Sequence, residues 1–252
     1  MESGIYAACS ALIARMHQLD ILANNLANAN TTGYKQESQF FQALTAASGS
    51  QPLGALNQAV NQFGVLSGQQ LNLTPGSDQI TGNPLDVAIQ GQGFLTVQTP
   101  AGVAYTRDGN LRIGAKGELL SSQGDPILGE QPKGKLAPIY LPSGKISISA
   151  NGTIAVNGAT AAKLHLAEFT SPAQIKPLGD TYLTAPAADV RTATDSSVTG
   201  GELETSNVNP IQAETNLITL QRHFDLLERA LQIYQQDFNQ PATTELPLVN
   251  NS

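Results

Sequence analysis

The chain has 252 residues, with 20 acidic and 13 basic side chains and a net charge of −7. Only 13% of its residues are charged, against roughly 25% in an ordinary soluble domain. Ala, Gly, Asn, Gln, Ser and Thr take their place. An acidic chain with 5% aromatic residues lacks the basic footprint of a nucleic-acid-binding protein, and its single Cys9 excludes an intramolecular disulfide.

The N-terminus starts Met1-Glu2, has no basic n-region and breaks up its apolar positions, so it does not read as a secretory signal. No apolar run approaches the ~18 residues of a membrane span. These features predict a protein that stays in the cytosol or is exported by a route that leaves its N-terminus uncleaved.

The first element is a helix. Ile5, Cys9, Leu12, Met16, Leu19, Ala23 and Leu26 recur in steps of four and three, an a/d seam on roughly 28 residues, or about 42 Å of helix. It runs out in Asn28-Ala29-Asn30-Thr31-Thr32, and Gly33 is placed for a left-handed C′ conformation. Residues 36–77 lack any sustained period and read as an extended connector. Within a β domain placed at 78–200 the period drops to two from about Leu85 to Phe169, as in Leu85, Val87, Ile89 and in Leu164, Leu166. Residues 170–200, rich in Thr, Ala, Asp and Pro, read as a return across that domain. Asp108-Gly109, Asn151-Gly152 and Asn157-Gly158 suit type I′ hairpin turns. Pro100-Ala101-Gly102 and Gly114-Ala115-Lys116-Gly117 supply further turns.

A second helix follows Asn209-Pro210, which resembles an N-cap and a first-turn proline, with Gln212 as a capping-box partner. Its seam is Leu217, Leu220, Phe224, Leu227, Leu231, Tyr234 and Phe238, and Pro241 is expected to end it. The predicted fold is α+β. N- and C-terminal helices, paired as in a coiled coil (1–35 and 201–240), flank an inserted all-β domain of short antiparallel strands, with a tail at 241–252.

No catalytic, cofactor-binding or metal-binding residue emerges. Gly91-Gln92-Gly93 lacks the third glycine and the following helix of a dinucleotide fingerprint, and reads as a tight hairpin. His17, His165 and His223 are far apart and have no ligand neighbour at metal-binding spacing. His17 and His223 lie off the seams, on helix surfaces, and His165 alternates with Leu164 and Leu166, which predicts a solvent-facing ring. Cys9, on the seam, reads as a small buried hydrophobe. Glu202 and Glu204 could form a carboxylate pair, but favourable charges at a helix N-terminus are the better reading.

The informative surface is helical. Between Ser3 and Thr32 only Arg15 and Asp20 are charged, and Ile21, Ile218, Leu226 and Ile233 are apolar positions off the seams. A lone helix pair in water should present a charged outer face. Asn24, Asn25, Asn28 and Asn30 are poor helix formers, and their clustering suggests amides engaged across an interface. Periodicity alone fits equally well an ordinary amphipathic pair packed on the β domain.

Three stretches carry a resemblance. Asp20–Lys35 resembles the N-terminal signature of the flagellar rod and hook protein family, and Gly201–Asn209 with Leu217-Ile218 and Gln221-Arg222 resembles its C-terminal signature. Pro84–Leu95, Tyr105–Asn110 and Gly124–Glu130 resemble the β domain of its rod subunits. Ile127–Glu130 and Ser206–Pro210 look more like the proximal than the distal rod branch.

The resemblance implies a structural subunit of the periplasmic rod. Its partners would be copies of itself, the proximal and distal rod subunits and, transiently, the flagellar type III export apparatus. It further implies terminal helices that order on joining the rod. The assembly interface would be the seam residues from Ile5 to Leu26 and from Leu217 to Phe238, with Asn24, Asn25, Asn28, Asn30 and Gly33. Two other classes, a cell-wall hydrolase and a soluble adhesin with a helical stalk, find no motif of their own.

Overall fold

The computed structural model describes residues 2–42, 65–131 and 135–244. It is α+β, with two long helices and nineteen short strands among the described residues. Residues 1–24, 39–68 and 211–252 form one unit, and residues 25–38 with 69–210 form another. Residues 25–35 and 201–210, grouped with the helices on sequence grounds, thus cluster with the β unit.

Helix α1 spans Glu2–Ala27. Its end is a turn in which the Ala29 amide donates to Leu26 O and the Thr31 amide to Asn28 O. Gly33 has the expected positive φ of 67°, but it lies beyond the helix and is not its C′ residue. Helix α2 spans Pro210–Thr244, and Pro210 opens it as expected for a residue with no N–H to lose. It continues through Pro241, correcting the expected stop. In the last turn a missing N–H forfeits one bond, with little helix beyond it to redirect.

The β unit is built on a six-stranded antiparallel sheet. Its strand order is Lys176–Pro177, Tyr182–Thr184, Gly102–Thr106, Phe94–Thr99, Leu166–Phe169, Val190–Thr192. Leu95, Val97, Ala104, Leu166 and Tyr182 face one core with Val87, Leu119, Ile127 and Ile154. Phe94, Tyr105, Ala167 and Leu183 face a second core with Leu71 and Ile175. Successive residues of a strand point to opposite faces, so this sheet is covered on both. That is why His165 is buried rather than solvent-facing. Its Nδ1 lies 2.9 Å from Thr96 Oγ1 and its Nε2 3.2 Å from Thr192 Oγ1.

Turn chemistry divides along the same lines. Asn157 and Gly158 both have positive φ and join Thr153–Val156 to Ala159–Lys163, as a type I′ turn requires. At Asn151-Gly152 only the glycine has positive φ, so that turn is not type I′. Asp108-Gly109 is not a hairpin at all. Gly109 O accepts from the Val87 amide, and a Cβ on Gly109 would sit 1.7 Å from Val87 O. Gly91-Gln92-Gly93 likewise joins strands of different sheets, because Val87–Gln90 pairs with Ser197–Gly200. In both places the glycines allow backbones to approach closely.

Candidate functional site: the junction of the two chain ends

The segments that lead out of α1 and into α2 meet on the β unit. Asn25 is buried, and its amide side chain substitutes for a strand neighbour. Its Oδ1 accepts from Tyr34 Oη (3.0 Å) and the Glu37 amide (2.9 Å), while Nδ2 donates to Glu37 O (2.8 Å). Burial, with Glu37 and Asp180 adding to it, pushes the Tyr34 phenol well above its usual range, so it remains a donor.

Asn207 performs the matching task before α2. Its Oδ1 accepts from the Gln36 amide at 2.8 Å, and its Nδ2 donates to Asn72 O and Thr74 O at 2.8 and 2.9 Å. The two ends also bond directly, the Gly33 amide donating to Glu204 O at 2.9 Å.

Beneath this lies a buried ionic cluster. Lys35 Nζ is 2.5 Å from Glu204 Oε1 and Arg107 Nη1 is 2.9 Å from Glu204 Oε2, with every side chain at most 2% exposed. The Gly76 amide donates to Glu204 Oε1 at 2.9 Å. Lys35 also donates to Thr74 O, and Arg107 to Ile89 O and Gly91 O. The Arg107 guanidinium lies 4.8 Å from the centre of the Phe94 ring.

Burial alone would raise the Glu204 carboxyl, but Arg107 and Lys35, with the Gly76 amide, outweigh it and hold the pKa below its usual 4.5. For Lys35 burial wins and lowers the ammonium despite Glu204. Glu204 is therefore neither half of an exposed pair with Glu202 nor a helix-terminal charge. It is the anion between two buried cations.

Gly33 fits this junction through the absence of its side chain. An added Cβ would lie 2.2 Å from Asp108 N, on a backbone already at φ +67°. Thr32 Oγ1 holds the same segment from outside by donating to Asp108 Oδ1 at 2.7 Å, and Ser122 Oγ donates to Asp108 Oδ2. Gly33→Ala is expected to destabilise the chain by roughly 2 kcal/mol or more, from left-handed strain plus collision. Gly158→Ala, at φ +84° with nothing within 4 Å of the new Cβ, should cost about 1 kcal/mol. Urea midpoints of the two variants measure the difference.

Of the expected interface residues, Asn25, Gly33 and Leu220 are buried, and Leu12, Leu19, Leu26, Asn28, Leu217 and Phe224 are partly buried. Met16, Ala23, Asn24 and Asn30 are exposed. The side chains of Ile5, Cys9, Leu227, Leu231, Tyr234 and Phe238 lie outside the described residues. Ile21, read as off-seam, is buried at 7%, whereas Ile13, Ile218 and Leu226 are more than half exposed. Among the described residues no helix is long and apolar enough to cross a membrane, and no group of three metal-ligating side chains gathers.

Sequence reasoning missed Lys35, Arg107 and Asn207 as junction residues and misread Glu204. Lys35 and Glu204 are 169 positions apart, and nothing in their local patterns links them. The two acids of Glu202–Glu204 should share a strand face by alternation, yet Glu204 and Leu203 are both buried.

Three family models match the chain. Residues 5–35 match "Flagella basal body rod protein". Residues 88–156 match "Flagellar hook protein FlgE/F/G D1 domain", and residues 199–242 match "Flagellar basal body rod FlgEFG protein C-terminal". Among curated proteins, the flagellar basal-body rod protein FlgF of Mesorhizobium japonicum is 34% identical over 230 residues, covering 89% of this chain and 90% of that one. FlgF of Salmonella typhimurium is 35% identical over 242 residues, covering 90% and 91%. The rod protein FlgG of Borreliella burgdorferi is 29% identical over 254 residues, covering 92% and 94%.

Proposed function

This chain belongs to the flagellar basal-body rod protein family, and from that premise we infer that it is a structural subunit of the rod, of the FlgF kind and proximal in position. The observation that carries this reading is the similarity to FlgF relatives over about nine-tenths of the chain, at 34–35% identity for four of them and 30% for a fifth. FlgG relatives match over the same length at 29–30%, which makes a distal rod subunit the second reading.

The proposed mechanism follows from the surface of the helices. Exposed Ile13, Met16, Ile211, Ile218 and Leu226 give α1 and α2 apolar area beyond what one chain covers, and copies stacked in a non-closing array would cover it. The terminal helices then pair, coiled-coil fashion, and line the rod through the seam residues with Asn24, Asn28 and Asn30, while Asn25 is taken up within the chain by Tyr34 and Glu37. The β unit forms an outer layer that resists bending while torque passes along the array. Such a subunit works in the periplasm after leaving the cell through the flagellar export apparatus, its helical ends ordering as neighbours cover them.

Imaging of intact basal bodies that carry a labelled copy of this chain tests the reading. The label is expected in the rod at its proximal end. A label in the distal rod would favour the second reading, and complete rods without the chain would overturn both.

A further inference from the structure

Lys35, Arg107 and Glu204 bring two positive charges and one negative charge together in a space closed to water. Without Glu204, the acceptors left to the two cations among the described residues are backbone carbonyls: Thr74 O for Lys35, and Ile89 O and Gly91 O for Arg107. Among the described residues no other carboxylate forms an ion pair with either cation. The nearby Asp108 carboxylate is occupied by Thr32, Ser122 and the Asn110 amide.

This charge balance constrains how the junction closes. If the 25–38 segment closed while residues 202–207 were still undocked, Lys35 would be buried beside Arg107 with no anion between them. An uncompensated buried charge is strongly unfavourable. The backbone bonds act in the same direction, since Gly33 N–Glu204 O and Gln36 N–Asn207 Oδ1 each need both ends in place.

We propose that Glu204 is the pin of a two-ended latch, by which the segment leaving α1 and the segment entering α2 close on the β unit in a single step. A chain whose C-terminal end has not docked keeps its N-terminal end open as well. The end of α1 and the start of α2 are then set together or not at all. This holds for the chain itself, whichever rod position it occupies.

Hydrogen exchange on the full chain, comparing wild type with Glu204→Gln, tests the latch. In the variant the amides of Gly33, Gln36 and Glu37 are expected to exchange at least tenfold faster (roughly 1.4 kcal/mol of opening free energy per tenfold). The amides of Thr205 and Asn207 should accelerate by the same factor, within about threefold. Leu95, Val97 and Ala104 in the central sheet should remain at least a hundredfold slower than either end. In the double variant Lys35→Met, Glu204→Gln the like-charge conflict is gone, and residues 33–37 should recover at least tenfold.

Wild-type rates at residues 33–37 beside accelerated exchange at 205–207 would overturn the proposal, because the ends would then close independently. Central strands exchanging as fast as the ends would also overturn it, making Glu204 a general stability group. So would a failure of the double variant to recover. If Glu204→Gln does not fold, Glu204→Asp keeps the charge but shortens its reach. It should accelerate both ends by one smaller, common factor, and unequal factors would refute the latch.

Discussion

Cells whose only copy of this chain carries Leu220→Asp together with Phe224→Asp are expected to build no complete rods and to be non-motile. The two positions are one turn apart on the same face of α2. Leu220 is 4% exposed and Phe224 partly buried. A carboxylate forced into such a site is worth several kcal/mol of destabilisation unless it is paired, and an array repeats that penalty in every copy. Because Leu220 is already covered within one chain, the pair tests folding and assembly together.

Ile218→Asp with Leu226→Asp separates the two. Those side chains are 52% and 62% exposed, so the free chain should keep its urea midpoint while rods still fail to form. Electron microscopy of basal bodies and swarm diameter on soft agar read the outcome. Normal rods and swimming in both double variants would mean that these helix faces take no part in assembly.

Glu204→Ala is expected to lower the stability of the β unit by about 3–5 kcal/mol, the usual consequence of leaving buried charge uncompensated. That is a large share of the ~5–15 kcal/mol available to a domain. With no Trp and six Tyr in the chain, near-ultraviolet circular dichroism in urea follows the transition. A loss under 1 kcal/mol would show that water reaches Lys35 and Arg107.

The pH dependence carries the same signature. The folded pKa of Glu204 lies below its ordinary 4.5, so the unfolded chain takes up its proton first. The stabilisation is complete above about pH 4.5 and fades as pH falls through the folded value. The stability gap between wild type and Glu204→Gln should therefore be constant at neutral pH and narrow only below about 4.5. His165 acts at higher pH. Its burial lowers the imidazole below its usual 6.5, and protonation of the unfolded chain weakens the fold as pH drops past that value.

The helices, the β domain between them and the turn at Asn157-Gly158 were legible because local pattern determines them. A heptad period, a two-residue alternation and a pair of left-handed residues need no knowledge of distant sequence. His165 was misread because alternation identifies the face of a strand, while burial depends on whether a second core covers that face. Gly33, Gly91 and Gly109 were visible as special positions. Their partners, Asp108, Asp195 and Val87, belong to the tertiary structure.

The junction was the least legible part. A buried ion cluster needs charge balance across residues 35, 107 and 204, and each residue alone reads as ordinary surface charge. The sparse charge of the chain offered the nearest clue. When so few side chains are ionised, those in or next to short strands are the ones to suspect of internal pairing.

The edges of the six-stranded sheet bear on how crowded copies stay distinct. One edge is the short strand Lys176–Pro177, whose proline has no N–H to offer a neighbour. The other is Val190–Thr192, where Arg191 is held by Glu168 and remains 66% exposed. Brevity, a proline and a charge are the features that discourage edge-to-edge pairing of sheets. At the very high local concentration of a polymer, unprotected edges would zip neighbouring β units into one continuous cross-chain ribbon. Blunted edges let each unit press against the next as a separate block, so that copies can be added one at a time without fusing.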